Sequence, residues 1–268
     1  MASRELARVS EKPEAVDRDE VDVQRLRAAL LEQKLDGLFF TGSHATGVRI
    51  AQTMGARFCK LQLELGGKDP TYVCDDADPR AAAESLADGA MYNTGQSCCS
   101  VERIYVHERV YDAFVAAFVE TVRGMRMGDP MDEATYIGAI TRAPQLDVLE
   151  AQVEDAIAKG ATVLTGGERR IGEGNWFEPT VLVNVDHGME VMREESFGPV
   201  IGIQQVAGDD EAVRLMNDTR FPWLVLVPRI EGAVEIVDLR PITDSVVLVS
   251  CVKTVHDGRA GADDVLPA

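Results

Sequence analysis

Two rhythms of apolar residues alternate along this chain, and that alternation limits its fold more than any other feature. Short runs such as Leu38-Phe39-Phe40, Thr71-Tyr72-Val73-Cys74, Ile104-Tyr105-Val106, Thr162-Val163-Leu164, Thr180-Val181-Leu182-Val183 and Val200 to Val206 read as strands. Leu61, Leu63 and Leu65 alternate with polar residues, again with the period of a strand. Between these runs the spacing changes to three and four. Leu26, Ala29 and Leu30 predict a helix over Val23 to Leu31, and Val110, Phe114, Phe118 and Val122 predict one from Glu108 to about Met125. Leu146, Leu149, Val153 and Ile157 stripe another that stops at Gly160, and Glu211 to Met216 makes a last short one. Asp78-Pro79 supplies an N-cap carboxylate and a first-turn proline for an alanine-rich helix running to about Tyr92. Helices and strands taking turns in this way predict an α/β fold with a largely parallel sheet flanked by helices.

The charge balance narrows the partners. Formal charge is -18, from 45 acidic against 27 basic residues. Such a surface repels phosphate backbones and anionic lipid, so neither nucleic acid nor a membrane is an expected partner, and ordinary solubility is the simpler account. Hydrophobic residues make up 46% of 268, enough for one large core or two modest ones. The five cysteines, Cys59, Cys74, Cys98, Cys99 and Cys251, have neither the even count of a disulfide framework nor zinc spacing. With no signal peptide and no run of about 18 apolar residues, a cytoplasmic, reducing setting is expected. The termini differ from the middle. Residues 1–24 are charged and aperiodic, while 222–268 contain strand-like runs, at Trp223 to Val227 and Ser245 to Val249, without helix stripes.

Four segments carry groups able to do chemistry. Cys98 lies in Asn93-Thr94-Gly95-Gln96-Ser97-Cys98-Cys99-Ser100, where a glycine turn brings backbone amides near the sulfur. A thiol attacks a carbonyl as thiolate, so those amides would serve both the thiolate and the oxyanion formed on attack. The competing reading is a small buried hydrophobe, the commonest fate of an intracellular cysteine. Glu64 precedes Gly66-Gly67 at the end of a strand that reads as buried. Desolvation there would make it a base able to activate water; alternatively it is an exposed charge paired with Lys68. Gly42, Ser43 and Thr46 lie in a glycine turn between a strand and a helix, an arrangement that offers a pyrophosphate site. The Lys-Ser/Thr of a P-loop is missing after Gly47, and a helix start capped by Ser43 or Thr46 fits equally. Glu195 and Phe197, in Glu194-Glu195-Ser196-Phe197-Gly198-Pro199, set a hydrogen-bond acceptor for ribose beside a ring able to pack on a heterocycle.

The order Phe40-Thr41-Gly42-Ser43, Glu64-Leu65-Gly66-Gly67-Lys68, Gly95-Gln96-Ser97-Cys98 and Glu195-x-Phe197-Gly198-Pro199 resembles the aldehyde dehydrogenase superfamily. The spacing is also family-like, 34 residues from Glu64 to Cys98 and 97 from Cys98 to Glu195. The resemblance covers about residues 30–221, including Trp176-Phe177-Glu178-Pro179-Thr180 and Met216-Asn217-Asp218-Thr219. It implies an aldehyde dehydrogenase-like catalytic domain over 64–221 and a remnant of the Rossmann-like cofactor domain over 25–63, between a poorly determined 1–24 and an atypical 222–268. It further implies Cys98 as nucleophile and Glu64 as general base. Gly42, Ser43 and Thr46 would lie along NAD or NADP, with Glu195 on the nicotinamide ribose and Phe197 beside the ring. The implied reaction oxidises a small aldehyde to a carboxylic acid through a thiohemiacetal and a thioester on Cys98, in a protein that is usually a homo-oligomer. No metal is implied. Family members place an oxyanion asparagine and a ribose-binding lysine upstream of the Phe-Thr-Gly-Ser motif, and no position here matches either. Resemblance ends at Phe221, the pattern of a truncated or frameshifted member. An inactive fragment or non-catalytic subunit pairing with a full-length relative, and a cofactor-independent thioesterase or esterase, are the competing expectations.

Overall fold

The structure, a computed structural model, describes residues 29, 34–57, 59–170, 172–221, 224–225 and 248–249. Apart from Ala29, the helix predicted over Val23 to Leu31 lies outside the described residues, as does 1–24. Of the segment after Phe221, only a short parallel pair, Leu224–Val225 with Leu248–Val249, is described. The chain divides into two compact units, Met1–Leu65 and Gly66–Ala268.

In the first unit, strand β1 (Gly37–Gly42) and strand β2 (Lys60–Leu65) pair in parallel through helix α1 (His44–Met54), forming a βαβ unit. Ser43 caps α1, its hydroxyl accepting from the Thr46 amide at 3.4 Å. Gly47, Ile50 and Met54 form the buried stripe of the helix. Gly47 is there for contact, since a Cβ at that point would sit 2.4 Å from the Leu65 side chain on β2.

The second unit is built on a five-stranded sheet of β3 (Pro70–Val73), β4 (Arg103–His107), β5 (Thr162–Thr165), β6 (Thr180–Val183) and β7 (Val200–Val206). Their order is β3-β4-β7-β6-β5, parallel throughout except for β5, which closes one edge antiparallel to β6. Strand period two sorts the side chains onto two faces. Val73, Ile104, Val106, Val181, Val183, Ile201 and Ile203 join one buried cluster with helices α2 (Pro79–Met91) and α3 (Tyr111–Gly124). Tyr72, Tyr105, Leu182, Val200 and Val206 point the other way, into a cluster with α4 (Ala143–Ala158) and α5 (Asp209–Met216). The result is a helix–sheet–helix sandwich.

Most element starts follow the local chemistry. The Asp78 carboxylate accepts from the amides of Arg80 at 2.9 Å and Ala81 at 3.2 Å, capping α2. Two expectations are corrected. Helix α3 begins at Tyr111 and not at Glu108, because the Glu108 amide bonds Val206 O at 2.9 Å and extends the β4–β7 ladder. Ile157 is exposed at 51%, because the inner face of α4 runs Leu146, Leu149, Val153, Ala156 and turns the next residue outward. Among the described residues no helix is long and apolar enough to cross a membrane.

Candidate active site

In a parallel sheet neighbouring strands begin at the same edge, and that fact assembles the site of the second unit. Gly66-Gly67-Lys68 leads into β3, Gly95 to Ser100 leads toward β4, and Glu195 to Pro199 leads into β7. Because β3, β4 and β7 are adjacent and parallel, three segments far apart in sequence come together at their amino ends. Ligands of open α/β sheets usually gather at the carboxyl ends of strands, so topology alone would have pointed to the opposite edge.

The cysteine loop is held by backbone and side-chain contacts on several sides. After α2 the chain makes a 3-10 turn, Tyr92–Gly95, in which Asn93, Thr94 and Gly95 all have positive φ, at 51°, 61° and 67°. Two consecutive non-glycine residues in the left-handed region mark a strained backbone that its surroundings must hold in place. Thr94 Oγ1 accepts from the Gly138 amide at 2.9 Å, Asn93 Nδ2 donates to Gln96 O at 2.8 Å, and Gln96 Oε1 accepts from the Thr141 amide at 2.9 Å. Gly95 has a second reason to lack a side chain. A Cβ there would lie 2.3 Å from Gly198 O, so the thiol loop and the Glu195–Pro199 segment touch backbone to backbone.

Both thiols are exposed, but their surroundings differ. Cys98 is held above the ordinary thiol value, first by lost solvation and then by the Cys99 and Glu195 charges beside it. Cys99 is pulled below that value by hydrogen bonds with the Ser97 hydroxyl and the Tyr92 phenol, each 3.4 Å from its sulfur. Tyr92 also donates to Ser97 Oγ at 2.5 Å. Hydrogen bonding thus favours the thiolate of Cys99, while lost solvation and neighbouring charge work against that of Cys98. Sequence reasoning passed over Tyr92 and Ser97, although a phenol six residues before the candidate nucleophile was a readable signal.

Glu195 is half-buried with its carboxylate against Gly66 and Gly67. A Cβ on Gly66 would lie 2.0 Å from Glu195 Oε2, so that glycine makes room for the carboxylate. Desolvation, reinforced by the nearby Glu102 charge and partly offset by the Gly67 amide and Lys68, pushes its pKa up to about 7. Phe197 follows with φ 46° and is 37% exposed. The structure thus presses the loop that carries Cys98 against the segment that carries Glu195 and Phe197, through Gly95 and Gly198. Lys68, Glu102, Gln152 and Ser196 lie buried behind it; of these, sequence reasoning considered only Lys68, as a partner of Glu64. Glu102-Arg103 at the mouth of a buried strand was the signal available.

The remaining predicted residues belong to the first unit. Gly42, Ser43 and Thr46 form the turn from β1 into α1, whose first turn carries no acidic side chain. The Thr46 amide is taken by the Ser43 hydroxyl at 3.4 Å, which is the capped helix start that fitted the sequence equally well. Glu64 on β2 stands opposite Thr41 in the ladder. Its side chain is exposed and accepts from Gln62 Nε2 at 2.7 Å. The buried setting expected for Glu64 is thus corrected, because β2 alternates exposed and half-buried residues and Glu64 falls on the exposed side. The alternative pairing with Lys68 is corrected too, since the Lys68 ammonium goes to Glu102 and Ser196. Among the described residues no cluster of three or more His, Cys, Asp or Glu is placed to hold a metal ion.

A helix-flanked parallel sheet with a thiol loop and a carboxylate–aromatic turn at one edge defines a cysteine-centred α/β domain. The aldehyde dehydrogenase family profile matches residues 23–223, and the chain belongs to that family. It is 40% identical over 190 residues to a succinate semialdehyde dehydrogenase [NAD(P)+], Sad, of Escherichia coli K12, covering 71% of this chain and 41% of that protein. Among solved structures it resembles 3,6-anhydro-L-galactose dehydrogenase in complex with NADP, at TM-score 0.72 and 36% identity, over 75% of this chain and 43% of the other. Succinate-semialdehyde dehydrogenase from Burkholderia pseudomallei matches at TM-score 0.69 and 38% identity, over 72% and 40%. The chain spans about two-fifths of the length of these relatives.

Proposed function

We propose that this chain carries the thiol chemistry of an NAD(P)-dependent aldehyde oxidation yielding a carboxylic acid. The observation that supports this most is the close backbone approach of Gly95 to Gly198, which joins the Cys98 loop to the Glu195–Pro199 segment. In this reading the Cys98 thiolate adds to the aldehyde carbon, and the carbonyl electron pair moves onto oxygen. Bound NAD(P)+ supplies the two-electron acceptor for the hydride on that carbon. Gly42, Ser43 and Thr46 would serve its phosphates, Glu195 would accept from a ribose hydroxyl, and Phe197 would stand by the nicotinamide. Glu64 is the general base that the family resemblance assigns to the hydrolytic step, in which a water attacks the acyl group on Cys98 Sγ and gives up a proton. The carbon–sulfur bond then breaks, and the thiolate returns with the acid released. The substrate is a small aldehyde, and succinate semialdehyde, from the relatives' names, is the first to try.

The test is absorbance at the reduced-nicotinamide band on mixing purified protein with succinate semialdehyde and NAD+ or NADP+, with Cys98→Ala as control. Reduction that needs both aldehyde and Cys98 supports the reading. No reduction by a folded, monodisperse protein would sink it, and ester hydrolysis without cofactor would replace it with a thioesterase-type activity. Size-exclusion mass in the same preparation reports whether the chain assembles as a homo-oligomer.

A further inference from the structure

Behind the candidate site lies a closed polar network centred on Glu102, one residue before β4 and 4% exposed. Its Oε2 accepts from Lys68 Nζ at 2.7 Å and from the Ser196 amide at 3.0 Å, while Oε1 accepts from the Phe197 amide at 3.1 Å. Lys68 Nζ also donates to Ser196 Oγ at 3.0 Å, and that hydroxyl donates to Gln152 Oε1 at 2.8 Å. Gln152 Nε2 reaches Glu195 O at 3.2 Å, and Gln145 Nε2 reaches Ser196 O at 2.6 Å. The Ser196 and Phe197 amides bond Glu102 directly, the Ser196 hydroxyl reaches it through Lys68, and Gln152 joins by way of that hydroxyl.

A buried ion pair is poor evidence for stability, because the desolvation of both charges cancels much of their attraction. Here burial holds Lys68 below the ordinary lysine value even with Glu102 against it. Such a pair is better explained by what it positions. The turn it grips contains Phe197 with positive φ, a conformation that needs outside restraint. Glu102 also stands at the entry of the middle strand of three, between the segment entering β3 and the segment entering β7.

We infer that Glu102, clamped by Lys68, is a positioning residue that holds the Ser196 and Phe197 amides and so fixes the Glu195 carboxylate next to Cys98. The inference rests on reading Cys98 and Glu195 as site residues, but its test needs neither aldehyde nor cofactor. Alkylation of Cys98 by iodoacetamide is followed site by site by mass spectrometry at pH 8.5, where Glu195 is ionised. Four proteins are compared: the unaltered chain, Glu195→Gln, Glu102→Gln and the double variant. Removing the Glu195 charge from beside Cys98 raises the thiolate fraction, so Glu195→Gln speeds alkylation about threefold. Glu102→Gln frees the turn, moves the carboxylate away and gives a similar gain. The double variant shows no more than the larger single effect, because both act through one carboxylate. Glu102→Asp, which keeps the charge, returns the rate toward that of the unaltered chain.

Independent, multiplying effects, or an unchanged rate in folded Glu102→Gln, overturn the inference. Should Glu102→Gln fail to give a cooperative melt, Ser196→Ala takes its place in the cycle. That change cuts the Lys68–Ser196–Gln152 link and leaves the ion pair intact. A coupled cycle without any aldehyde oxidation would reject the proposed reaction while leaving the positioning role standing.

Discussion

Cys98 and Cys99 are adjacent, both exposed, and held in opposite electrostatic conditions. Alkylation rate follows the thiolate fraction, so Cys99 reacts first near neutral pH, and Cys98 catches up only as pH rises past the ordinary thiol range. Peptide mapping after brief iodoacetamide treatment at pH 7.5 and at pH 9.5 checks this, and equal labelling at pH 7.5 would contradict it. Replacing Tyr92 by Phe removes one of the two hydroxyls at the Cys99 sulfur and narrows the difference. Glu195 offers a second residue-scale test. Its folded pKa, about 7, lies above the unfolded value of 4.5. The folded state therefore binds the extra proton more tightly. The stability contribution is fully present below pH 4.5 and is lost as pH rises through 7. Glu195→Gln should flatten the melting temperature between pH 5 and 8 and raise it at pH 8; an unaltered pH profile would count against the burial described for this carboxylate.

At the scale of elements, the site depends on three strand entries lying side by side. Gly95 has φ 67° and no room for a Cβ against Gly198 O, so Gly95→Ala should destabilise the second unit by about 1–3 kcal/mol, the range for forced overpacking. A chemical melt reads it, and an unshifted midpoint would mean that the loop and the Glu195–Pro199 segment do not press together. Glu102→Ala leaves the Lys68 ammonium buried without its counter-charge and should cost about 3–5 kcal/mol. These elements were unequally legible in the sequence. Strands β3, β4, β6 and β7 were plain, because buried parallel strands are short continuous apolar runs with turn residues around them. The start of α3 was not, because the Glu108 amide is taken by Val206 on another strand, a long-range bond that no local pattern announces. Glu102 was hidden for a similar reason. A lone carboxylate before a strand looks like a solvated end until the partners contributed by the strands on either side are known.

For the whole molecule, period-two alternation within strands and three-to-four spacing within helices foretold the helix–sheet–helix sandwich. The motif set Gly95–Cys98 and Glu195–Pro199 foretold which loops would meet. What the sequence left open was the electrostatic state of each group. The raised pKa of Glu195 follows from neighbours that only the folded chain supplies, whereas the exposure of Glu64 was readable in the alternation of Leu61, Leu63 and Leu65. The central claim is that Cys98 takes the acyl group from an aldehyde, and covalent trapping tests it most directly. Glu64→Gln protein is mixed with succinate semialdehyde and NAD(P)+, quenched in acid, digested and weighed. The account predicts an acyl adduct on the Cys98 sulfur, at the aldehyde's mass less two hydrogens, which accumulates because its hydrolysis is slowed. Turnover with no adduct on Cys98, an adduct on Cys99 instead, or neither turnover nor adduct in folded protein would contradict it.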